Sequence, residues 1–129
     1  FPAAAHARAR AIAWMFAAVS DVEPLIVQRE VVEHAESDKS WATERMAMVE
    51  QRIRDRFAEL AAHLGGADWI DGAFSAADVL LVQALRRLEG QTPLTEFPTL
   101  VAYMEHGKAR PAFKRAFAAQ LAAYNETKD

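Results

Sequence analysis

The sequence predicts an all-α fold, a bundle of five helices, and three observations predict it. Apolar residues recur at intervals of three and four along most of the chain, and no stretch alternates as a strand would. Alanine occurs 28 times and glycine only 5 times in 129 residues, a bias toward helix. Short breakers divide the periodic pattern into five segments of helical length.

The first segment opens at Pro2, a residue suited to an early helical position because its missing N–H would be an orphan there. From Ala11 to Val19 it carries no polar residue, so more than one buried face is expected, in a core or at an interface. Pro24 interrupts the pattern, which predicts a kink there, with the helix resuming through Leu25, Ile26, Val31 and Val32. Residues 36–40 read as the turn that follows. In the second helix Ala42, Met46, Val49, Ile53, Phe57, Leu60 and Leu64 form one stripe, at spacings of 4, 3, 4, 4, 3 and 4. Its other face is charged, with Glu50 and Arg54 in the favourable i,i+4 order. Gly65 and Gly66 end it.

The sharpest local signal is Phe74-Ser75-Ala76-Ala77-Asp78-Val79. Ser75 is placed to cap a helix, and the Asp78 carboxylate can reach back to the Ser75 N–H, a capping box with Asp for the usual Glu. Phe74 and Val79 then stand where a hydrophobic staple would close. That third helix reads through to Gly90. Pro93 and Pro98 bracket a loop, residues 99–106 form a short fourth helix stopped by Gly107, and Pro111 opens a fifth. Phe113, Phe117, Leu121 and Tyr124 share one side of the fifth helix, and the polar tail 125–129 is expected to fray.

Residue chemistry excludes more than it assigns. With no cysteine there is no disulfide, thiolate ligand or thiol nucleophile. A net charge of −3 argues against nucleic acid as partner. No apolar run reaches the ~18 residues of a membrane span, and no leader pattern is seen, so no membrane association and a cytoplasmic location are expected. His6, His34, His63 and His106 lack the spacing of paired metal ligands. Glu30 and His34 could share a face, but a solvated surface pair is the simpler reading, and no metal is expected. Ser75 has no adjacent histidine and its hydroxyl is committed to the cap, so no nucleophile role follows. Arg52, Arg54 and Arg56 are diluted by Glu50, Asp55 and Glu59 and read as a solvated face. Trp14 reads as a core anchor, and Trp41 and Trp69 as packing residues that hold loops down.

Four stretches carry a resemblance. Trp69-Ile-Asp-Gly-Ala-Phe-Ser-Ala-Ala-Asp78 resembles the signature opening the central helix of the C-terminal domain of glutathione S-transferases. Phe97-Pro-Thr-Leu-Val-Ala-Tyr103, Ala109-Arg110-Pro111-Ala112-Phe113 and Arg10-Ala-Ile-Ala-Trp14 resemble three further landmarks of that domain, all in family order. The resemblance implies one helical domain over residues 1–129, the partner of an N-terminal thioredoxin-like domain. That missing domain binds glutathione, the co-substrate, and holds the thiol-activating residue. The helical domain supplies the apolar pocket for the electrophile.

On this reading the full-length protein is a dimeric transferase of the detoxification type. The chain, starting at Phe1 rather than methionine, is a processed or partial product that is inactive alone. No catalytic residue is expected within it. Met15, Phe16, Val19 and Glu23, on the helix facing the glutathione cleft, are the substrate-binding candidates. Ser75 and Asp78 carry over as a structural capping box. Arg110 matches a landmark without a physical account. The competing reading is a non-catalytic protein-interaction module of the same fold.

Overall fold

The computed structural model describes residues 1–127. Its elements in order are α1 (Ala5–Ala17), a π-helical turn (Ala18–Val22), α2 (Glu23–Ala35), α3 (Ala42–Leu64), α4 (Ala76–Arg86), a 3-10 turn (Leu94–Glu96), α5 (Pro98–Ala109) and α6 (Pro111–Glu126). The run from α1 through α2 is one long broken helix, so the bundle has the five rods expected. Among the described residues there is no strand.

The break in the long helix lies one turn ahead of Pro24. A proline ring crowds the carbonyl four residues back and offers it no N–H. The chain meets this by widening: the Glu23 N–H donates to the Ala18 carbonyl, five residues back, and Pro24 falls in the first turn of α2. The helix also begins at Ala5 rather than at Pro2. The Arg8 guanidinium binds the carbonyls of Pro2 and Ala3 at 3.2 and 3.4 Å and holds that lead-in outside the helix.

The α3 stripe faces inward as its spacing requires, with Val49, Ile53 and Phe57 each 1% exposed, and Gly65 at φ 54° ends the helix. Central to the bundle is α4, which packs against α1, α2, α5 and the π turn. Leu81, Val82 and Leu85 of α4 join Val22, Ile26 and Phe57 in one continuous core. The helix ends at Arg86, and residues 87–90 turn back through Gly90 at φ 73°. A membrane-length reading has to be amended as well: Ala5–Ala35 is long and apolar enough, by length and composition, to cross a membrane. Within this fold its inner side is core, through Ala11, Ala18, Val22, Ile26 and Val32.

Two expectations at the far end of the chain change, and one face there is left open. Gly107 does not stop α5; the helix runs to Ala109 with Gly107 buried inside it. The α6 stripe is not covered, since α6 has no buried residue and Phe117, Leu121 and Tyr124 are about half exposed. Residues 125 and 126 remain helical, and Lys128 and Asp129 lie outside the described residues. Trp41 likewise holds no loop down: it is 43% exposed, with the Arg45 guanidinium over its ring at 5.5 Å.

Ion pairs lace the rods. Arg87 at the end of α4 grips Glu30 and Glu23 of α2, and Arg54 of α3 binds both oxygens of Glu96 in the 3-10 turn. Arg54 therefore fastens two elements rather than facing solvent alone. Arg29, 8% exposed, is satisfied by Glu33, Glu50 and Gln91. The hydrogen bond from Arg87 holds the Glu30 carboxyl below its ordinary 4.5, and that from Arg54 does the same for Glu96. Both groups ionise more readily folded than unfolded, so their contribution is complete above pH 4.5 and is lost as pH falls through the lowered values. The urea midpoint should stay level near neutrality and drop below pH 4.5, less steeply in Arg87→Gln. A midpoint unchanged down to pH 3 would contradict this.

Candidate functional site

The four substrate-binding candidates do not converge in the described structure. Met15 packs against the core, while Phe16 and Val19 point outward, 65% and 44% exposed. Glu23 accepts from Arg87 Nη1 at 3.2 Å, which ties it to α4. Ile12 stands with Phe16 and Val19 at spacings of 4 and 3, and exposed Val27 and Val31 lie further along α2. Of the two kinds of face expected over 11–19, the one toward the core is buried and the one left for an interface is open in this chain. What the outer side offers is an uncovered apolar strip, not a closed pocket.

The signature around Ser75 and Asp78 is a closed hydrogen-bonding hub. Ser75 has extended backbone, and its hydroxyl accepts from the Ala77 N–H at 3.2 Å, with the reciprocal capping box to Asp78 in place. Asp78 is wholly buried. Its Oδ2 accepts from the Ser75 N–H at 2.8 Å, and its Oδ1 from the Ile70 N–H at 2.9 Å and the Tyr103 hydroxyl at 2.7 Å. Burial, reinforced by the Asp78 charge, pushes the Tyr103 hydroxyl far above its ordinary value, so it remains a donor. One carboxylate thus joins the loop before α4, the start of α4 and the middle of α5.

Aromatic rings close over this hub. Trp69 meets Phe74, Tyr103 and His106 at centroid distances of 4.9, 6.3 and 4.4 Å, as a residue that holds its loop down should. The Arg110 guanidinium lies 3.4 Å from the Phe74 centroid and 5.5 Å from that of Trp69. That cation–π clamp is the physical role of Arg110. His63 bonds the Ile70 carbonyl at 2.9 Å and packs on Trp14, and Arg10 pairs with Asp71 at 2.9 Å, so α1 and α3 also hold the loop.

The polar groups of the hub are spent on these bonds: the Ser75 hydroxyl accepts from the Ala77 N–H and donates to Asp78 Oδ2 at 3.4 Å, and that carboxylate is itself held by the other donors of the hub. Among the described residues no three His, Asp or Glu side chains gather as metal ligands, and Glu30 turns to Arg87 while His34 lies nearest Glu33. Sequence spacing reached the Ser75–Asp78 half of the hub and missed Ile70 and Tyr103. Tyr103 carried a usable signal, since it shares the inward face of its helix with Leu100 and Met104.

Three of the four sequence landmarks meet directly around this hub, and the fourth, Arg10 to Trp14, braces it from outside. Residues 28–120 match the family described as glutathione S-transferase, C-terminal domain. The chain belongs to that family. No curated protein matches it. The match covers the hub, α3, α4 and α5 of this glutathione S-transferase C-terminal domain, and it starts within α2, after the Arg10–Trp14 landmark.

Proposed function

We propose that this domain forms the apolar co-substrate wall of a glutathione transferase, facing a thioredoxin-like domain that carries glutathione. The observation that supports it is the uncovered strip of Ile12, Phe16 and Val19 on the long broken helix, in a chain of this family. Exposed apolar surface of this kind marks a face built to be covered. The thiolate is activated on the other domain, and this one orients and desolvates the electrophile against it. Dimerisation of the whole protein belongs to the same reading.

Three experiments test it. The isolated chain, mixed with glutathione and an aryl halide, should show no turnover above the buffer reaction. It should also associate, so that its average mass in sedimentation rises with concentration, and Phe16→Ser with Val19→Ser should return it to monomer. Turnover by the isolated chain, or a strict monomer at high concentration, counts against the proposal. In a protein that also carries the thioredoxin-like domain, the same pair should raise KM for an apolar electrophile and spare KM for glutathione. Absence of any conjugation there would favour the non-catalytic interaction module, which would use the same strip for a protein partner.

A further inference from the structure

The uncovered α6 faces a groove against α4 that encloses about 320 Å³, at the small end of the ~300–1,000 Å³ usual for ligand pockets. Val79 and Val82 of α4 form one wall, and Phe113 and Phe117 of α6 the other. The two phenyl rings are nearly parallel, 7° apart, with centroids 6.1 Å from each other. Across both lies the Arg86 guanidinium, 4.9 Å from one centroid and 5.0 Å from the other. Among the described residues Arg86 has no ion pair and one hydrogen bond, from Nη1 to Gln83 Oε1 at 2.7 Å. Its Nε is shut off from water with no acceptor. A buried guanidinium donor left in that state is costly, and an acceptor supplied to it gains correspondingly.

At the other end of the groove stands Arg110, also without a carboxylate partner among the described residues. The one carboxylate among the described residues that line the groove, Asp78, has both oxygens engaged by Ile70, Ser75 and Tyr103. Arg29, Arg54 and Arg87, by contrast, each hold carboxylate partners. Among the described residues the groove combines flat apolar walls, two guanidinium groups without a carboxylate partner and no free negative charge. We propose that it binds a small aromatic carboxylate, its ring on Phe113 and Phe117 and its carboxylate on Arg86. The site shares no residue with the α1–α2 strip and does not depend on the proposed transferase role.

The test uses the whole 129-residue chain with 2-naphthoate and the uncharged 2-naphthalenemethanol, followed by amide NMR and calorimetry. Naphthoate should saturate at one per chain, shifting amides near Val82, Phe113 and Phe117, and the alcohol should bind about tenfold more weakly. Arg86→Gln should lower naphthoate affinity about tenfold and leave the alcohol unchanged. A urea midpoint equal to wild type checks that the variant is folded; if it is not, the charged-against-neutral comparison on the wild-type chain decides alone. Equal affinity for the two probes, or shifts away from the groove, would overturn the proposal. So would groove amides that move on dilution without ligand, because a second copy of the chain would then be the occupant.

Discussion

Asp78→Ala should cost about 4 kcal/mol of folding free energy, the largest effect of any single substitution considered for this domain. Alanine removes the acceptor for three buried donors, the Ser75 and Ile70 N–H groups and the Tyr103 hydroxyl. Each buried donor left unpaired costs about 1–3 kcal/mol, and the three share one small cavity, so the sum is not reached. Asp78→Asn keeps one acceptor oxygen but turns an NH2 toward a donor, and should cost about half as much. Ser75→Ala removes only the cap and should cost about 1 kcal/mol, within ~0.5–2. Urea midpoints at constant slope measure all three. The double variant at 75 and 78 should cost less than the two singles together, because both serve one motif. Unchanged midpoints with lost activity in a parent enzyme would move Ser75 and Asp78 from folding to chemistry.

Asp78 also shows where sequence reading succeeds and stops. The capping box lies within four consecutive residues, so local spacing reveals it; Ile70 and Tyr103 come from eight residues before and 25 after, which spacing alone does not connect. The α3 stripe was legible for a similar reason, since a helix of 23 residues repeats its pattern enough times to exclude chance. The α6 stripe repeats as clearly and is nevertheless open. Periodicity marks a face that wants covering and says nothing about whether the cover is in the same chain, and around Phe117 and Leu121 it is not among the described residues. Pro24 announced a break near it, and the structure sets that break in the turn before, where the strain falls. Of the candidate substrate residues, spacing separated none: Met15 and Phe16 are adjacent in sequence and therefore face in different directions on a helix.

Gly107→Ala should destabilise the domain by about 2 kcal/mol, although alanine in a helix interior ordinarily gains about 1 kcal/mol over glycine. In the sequence Gly107 read as a helix stop, but the structure places it in mid-helix, buried where α5 crosses α4. A methyl added there would lie 2.5 Å from Val82 Cγ2, 3.1 Å from Cγ1 and 3.3 Å from Cβ. Val82 cannot turn aside cheaply: it is β-branched, 3% exposed, and its helix is packed against α1, α2, α5 and the π turn. The helices must separate by several tenths of an ångström, which loosens dispersion contacts along the whole crossing and outweighs the gain in helix propensity. Val82→Ala alone should cost about 2 kcal/mol by leaving a cavity. Combined with Gly107→Ala, the new methyl fills part of that space, and the double variant should be more stable than either single one. A coupling of this sign, read from the four urea midpoints, assigns Gly107 to close helix packing. Additive losses would mean the two residues do not share the crossing, and a stabilising Gly107→Ala would mean the helices have room to spare.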